Sequence, residues 1–259
     1  MTESTLPESL LLLAADFTRH NDSLSMLNGT SPSNLLTDQT ALTQNLAKSA
    51  LRAREVLAAC PIYRSTAVRD VDARIRQLAH LAANAAQLLI DAVDIMVAAG
   101  DGAPIDRRSF LDFKHSAETA QRVDMAKGLT RLGPQDAVAA AEMFVAQSRL
   151  KGTPPPYRPL SLSSTQSRAL LAVARGEVTV RMGRPCLRDG QVAATTLRSL
   201  ETGGLVFREP SALPVHDERL QLTRDGRHGL IAGFGRPQRL APSRPASRQA
   251  MRPTRNRSV

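Results

Sequence analysis

Gln191, Thr195, Arg198 and Thr202 recur at i, i+4, i+7 and i+11, with Ser199 beside them. On a helix advancing 100° per residue these five side chains form one narrow polar stripe, opposite Val192, Ala193, Thr196, Leu197 and Leu200. Arg and Gln make bidentate hydrogen bonds to guanine and adenine edges, while Thr and Ser suit phosphates or the thymine methyl. A helix with this face fits a DNA major groove; the same residue types also make an ordinary solvated surface. Arg208 and Arg219 flank the stretch that follows, and Arg236, Arg239, Arg244 and Arg248 stand in a basic tail. These six are the candidates for phosphate contacts.

Chemistry of other kinds is weakly represented. There is no Gly-rich phosphate loop, nucleophile elbow or His-x-x-x-His spacing, so the expectation is a non-enzyme without metal or cofactor. His216-Asp217-Glu218 lie side by side on a loop, and Asp91 and Asp94 have no evident third ligand. His20, His80, His115 and His228 are isolated and read as surface or packing residues. Cys60 and Cys186 lie far apart, which implies neither a disulfide scaffold nor a zinc site.

The elements that must position the polar stripe follow from capping residues and periodicity. Ser163-x-x-Gln166 is a capping box opening a helix to Arg175. Val178, Val180 and Met182 alternate as a half-buried strand, Gly183-Arg184-Pro185 turns the chain, and Cys186-Leu187 is placed to pair back. A helix over 191–202 ends at Gly203-Gly204, a strand follows at 205–207, a loop at 209–218 and a returning strand at 219–223. A last helix runs from 224 to 232.

Upstream, helices are expected over 7–27, 38–59, 66–99, 106–127 and 134–150. The third is the most regular. Val68, Val71, Ile75, Leu78, Ala82, Ala85, Leu89, Ala92 and Met96 keep a 3-4 spacing, with Leu81, Leu88 and Ile95 as a flanking row. Such a seam faces another helix along its length, either in a second copy of the chain as a homodimer or within one bundle. Four prolines between 154 and 159 mark 151–160 as a stiff, extended linker.

The expected fold is therefore mainly α. An N-terminal helical bundle with a long central helix (1–150) precedes a linker (151–160), a small α/β module (161–235) and a disordered basic tail (236–259). Aromatic residues make up 3% of the chain and Trp is absent, which suits Leu- and Ala-filled helix packing. The net charge of +10 is unevenly placed: residues 1–159 balance 17 basic against 17 acidic side chains, 160–235 carry 10 against 7, and 236–259 carry 7 arginines and no acid. A flexible polycation of this kind adds salt-dependent affinity for nucleic acid and equally for an acidic protein. The N-terminal apolar run at 10–15 lacks the basic start of a signal peptide, and Asp91 and Asp94 interrupt the longest apolar region, so a cytoplasmic protein without a membrane span is expected.

The run Leu197-x-x-Leu200-Glu201-x-x-Gly204-Leu205-Val206, followed by Leu220-x-Leu222-Thr223-x-x-Gly226-Arg227, resembles the DNA-binding domain of MarR-like winged-helix regulators over about residues 163–232. The resemblance implies a recognition helix, a wing and a closing helix acting on double-stranded DNA, in a transcriptional regulator. Two features depart from it. Only 183–190 are available for the helix that should precede the recognition helix, and the wing carries Glu209, Asp217 and Glu218. The alternative is a helical interaction protein whose winged module binds another protein.

Overall fold

The computed structural model describes residues 5–60, 65–100, 108–187, 192–213 and 218–236. Gln191 and the tail arginines Arg239, Arg244 and Arg248 lie outside these, as do His216 and Asp217.

The N-terminal half is helical, as expected: α1 (Leu6–Ser25), α2 (Ser33–Ala58), α3 (Thr66–Gly100), α4 (Arg108–Thr130) and α5 (Gly133–Leu150). Pro7 and Pro134 sit in first turns, where the missing N–H costs nothing. Helix α2 starts about a turn before the expected residue 38, because Pro32 supplies a preset entry and Leu36 is drawn fully into the core. Every seam residue of α3 from Val68 to Ala92 is buried, with α2, α4 and α5 packed against the helix. The seam is thus filled from within the chain. Over 66–98 this helix is long and apolar enough to cross a membrane by length and composition, yet its apolar stripe faces its own neighbours.

The C-terminal half runs α6 (Ser164–Ala174), β1 (Val178–Arg181), β2 (Arg184–Leu187), α7 (Ala194–Thr202), β3 (Val206–Pro210), β4 (Glu218–Leu222) and α8 (Arg224–Gly233). The Ser163–Gln166 capping box closes both ways. The four strands form an antiparallel sheet in the order β2-β1-β4-β3. A short hairpin therefore stands where a helix would precede α7 in a helix-turn-helix. Its turn is Met182-Gly183, both at positive φ (48° and 70°), the pattern of a tight two-residue hairpin turn. A methionine there costs roughly 1 kcal/mol more than glycine.

Pleat parity divides the sheet. Val178, Val180, Val206, Leu220 and Leu222 are buried on the face toward α6, α7 and α8, while Thr179, Arg219 and Glu209 lie on the face toward α1. Helix α1 packs on α5 and α2 and also reaches α6 and α8, so one hydrophobic core runs unbroken from Leu6 through Phe17, Ile75 and Phe144 to Leu170, Leu197, Leu220 and Ile231. The proline-rich stretch joins the two halves without separating their cores. It is also pinned: Tyr157 Oη lies 2.7 Å from Thr5 Oγ1, and its ring stacks on His228 at a centroid distance of 4.0 Å. Cys60 and Cys186 are free thiols.

Candidate nucleic-acid interface

Helix α7 follows the expected pattern over Thr195–Thr202 only: it begins at Ala194, so Val192 and Ala193, expected on its apolar side, precede it, and Ala193 is exposed. Leu197 and Leu200 are fully buried, and Thr195, Arg198, Ser199 and Thr202 are exposed. Arg198 has no ion-pair partner among the described residues, which leaves its five donors open to a ligand. Ser199 is tied to the preceding helix: its Oγ accepts from Gln166 Nε2 at 3.2 Å, while Gln166 Oε1 accepts from the Ser163 N–H at 2.9 Å. The α6 cap thereby fixes one side chain of the stripe.

The two ends of the motif lock together. The Thr223 hydroxyl donates to the Gly204 carbonyl at 2.7 Å, the Thr223 N–H donates to the Leu205 carbonyl at 3.0 Å, and Thr223 Oγ1 accepts from the Gly226 N–H at 3.0 Å. A Cβ on Gly226 would fall 2.0 Å from the Leu205 carbonyl oxygen, so only glycine lets α8 start so close to the exit of α7. These contacts tie the exit of α7 to the start of α8.

Arg208 and Arg219 do not form the phosphate clamp expected of them. Arg208 lies opposite Leu220 and Glu209 opposite Arg219, so parity sends the two arginines to opposite faces. Arg208 donates from Nε to Glu201 Oε1 at 2.5 Å and from Nη1 to Glu218 Oε2 at 3.0 Å, and these bonds raise its pKa further. Arg219 is 5% exposed. It donates from Nε and Nη2 to the two oxygens of Asp22 at 2.6 Å each, and from Nη1 to the Gly176 carbonyl. Gly176 itself has φ +69° and sits against Thr18, where a Cβ would meet Oγ1 at 2.4 Å. Arg219 is a buried tie between β4 and α1, unavailable to a ligand. Arg236 is exposed just beyond α8.

Other sequence candidates resolve as packing. His20 is buried, its Nδ1 2.7 Å from Gln39 Nε2, and burial lowers its pKa to about 4. His228 is not isolated, since Nε2 lies 3.3 Å from the buried Glu8 carboxylate. Asp91 accepts from Gln87 at 3.0 Å, and no group of three metal-ligating side chains occurs among the described residues. Sequence reasoning passed over Arg181 and Arg184, which are exposed at the ends of β1 and β2; two arginines flanking a Met-Gly turn were the available signal.

A cavity of about 780 Å³ lies on the α1 side of the sheet between Leu24, Lys127, Thr179, Leu187 and Leu213, with Asp22 and Arg219 in its wall. Its charged wall pair is already mutually satisfied. No protein-family model, curated protein or solved structure matches the chain.

Proposed function

We propose that the protein binds double-stranded DNA through α7 and acts as a regulator of transcription, with the arginines from Arg236 onward adding affinity of no sequence preference. One observation carries the reading: α7 buries Leu197 and Leu200 in a winged-helix-like frame while holding Thr195, Arg198, Ser199 and Thr202 outward, Arg198 unpaired. The order helix, strand, strand, helix, strand, strand, helix, with β1 seated beside β4, supports the same reading apart from the added β2.

A second reading, a module that binds protein, draws on Arg208. Held by Glu201 and Glu218, it leaves the wing base with little free positive charge.

Selection from random duplexes with the full chain, followed by titration of the enriched site, separates the two. Arg198→Ala is expected to weaken the enriched site by about 1–3 kcal/mol and random DNA much less, as for loss of a bidentate base contact. Absence of enrichment, or equal affinity of the wild type and Arg198→Ala for the enriched site, overturns the DNA reading.

A further inference from the structure

We infer that the β1–β2 hairpin, rather than the wing, is the second element that meets the DNA backbone; this rests on the DNA-binding reading of α7. The β1–β2 turn lies at the end of the sheet where β3 ends and β4 begins. Val180 pairs with Glu218, so the Met182-Gly183 turn after β1 lies beside the start of β4. At the wing, Arg208 and Arg219 are held by Glu201, Glu218 and Asp22. At the hairpin, Arg181 and Arg184 are exposed and have no ion-pair partner among the described residues.

The hairpin tip also goes against local stability three times. Arg181 and Arg184 are directly opposite in the register, a repulsive cross-strand pair. Met182 takes a positive φ that glycine or asparagine would adopt more easily, and it is 82% exposed. Such local conflicts concentrate at sites of function. A polyanion removes the first of them, because phosphate oxygens between two guanidiniums turn the repulsion into attraction.

Helix α7 packs against both β2 and β3, so the hairpin and the wing flank it on either side. Parity turns Arg181 and Arg184 to the α1 side of the sheet, away from α7. The phosphates they meet therefore belong to backbone flanking the groove that α7 enters, and the contact carries no base information. The ordinary alternative for Arg184-Pro185 is protection of an edge strand against pairing with another chain, a role that any charge fills.

Full-length wild type, Arg181→Gln/Arg184→Gln and Arg181→Glu/Arg184→Glu are titrated across salt on 16-bp and 40-bp duplexes containing the selected site. Sedimentation velocity monitors self-association. On the 40-bp duplex the Gln pair is expected to reduce the slope of log affinity against log salt by about 1.8, equivalent to roughly 60-fold at 0.1 M salt, and the Glu pair to lower affinity further. On the 16-bp duplex both pairs are expected to bind nearly as wild type. Wild-type binding with unchanged slopes in both pairs overturns the hairpin assignment and leaves α7 standing. Self-association of the Gln pair with normal DNA binding by the Glu pair also overturns it, in favour of edge protection. If the wild type binds neither duplex, the reading of α7 falls with it.

Discussion

Removing the Arg219 guanidinium strands a carboxylate inside the protein. The two side chains of the Asp22–Arg219 pair are 9% and 6% exposed, and Arg219 donates two bonds to Asp22 and one to the Gly176 carbonyl. In Arg219→Ala, Asp22 loses both charged donors while remaining between α1 and the sheet. Breaking a buried pair from one side costs about 3–5 kcal/mol, against a total stability of about 5–15 kcal/mol for a domain. The corresponding fall in melting temperature is about 6–20 °C for a chain of this size. Replacing both partners with apolar residues, Asp22→Leu with Arg219→Met, leaves no stranded charge, so the double variant is expected to be more stable than either Arg219→Ala or Asp22→Ala. Urea unfolding of the wild type, the single variants and the double variant measures this directly, and the non-additivity gives the coupling. DNA affinity of the folded double variant should match wild type, since Arg219 touches no ligand. A cost below about 1 kcal/mol for Arg219→Ala, or a folded double variant that has lost DNA affinity, would refute the assignment of Arg219 as an internal tie.

Three further substitutions probe the frame. The pKa of His20 is depressed to about 4 by burial, so the unfolded chain takes up its proton first and stability falls as pH drops from about 6.5 toward 4. Between pH 7 and pH 5 that contribution is about 2 kcal/mol; urea unfolding should show a loss smaller by this amount in His20→Gln, and equal losses would discount the histidine. Gly226→Ala pushes a methyl into the Leu205 carbonyl and is expected to destabilise by about 1–3 kcal/mol. Gly128→Ala, in the last turn of α4 with nothing within 4 Å of its added methyl, is expected to stabilise by up to about 1 kcal/mol. Thermal melts of the two variants should therefore move in opposite directions.

What could be read from the chain was whatever depends on neighbours in sequence. The α3 seam, the Ser163 capping box, the return of Cys186-Leu187 onto β1 and the inward Leu197 and Leu200 all follow from spacings shorter than a dozen residues. They stand in the structure as expected. The start of α7 at Ala194 and of α2 at Ser33 differs by a few residues, the usual uncertainty where the cap is weak: Ala193 and Pro32 offer no side-chain acceptor. The fate of Arg208 and Arg219 could not be read, because it depends on strand register and, for Arg219, on a partner 197 positions away. The unbroken core was equally hidden. A proline-rich stretch looks like a boundary, and nothing local to Tyr157 announces its stack on His228 or its contact with Thr5.

Charge counted along the sequence and charge presented at the surface therefore differ in a way that bears on function. Residues 160–235 count three more basic than acidic side chains, which spread over the module would suggest a uniformly attractive face. The fold redistributes that surplus. Arg219 pairs with an acid from the other half of the chain, and Arg208 takes up two of the module's acids. The Glu201–Arg208–Glu218 cluster on the wing side of α7 thereby keeps one net negative charge, while Arg198 on the helix and Arg181 and Arg184 on the hairpin keep their charge free. On the proposed DNA-binding reading, a duplex seated on α7 finds the free arginines on the hairpin side of the helix and, among the described residues, none on the wing side. Arg208 offsets only one of the two charges of Glu201 and Glu218, so the side from which a backbone approaches is decided by which arginines have no acid to hold them.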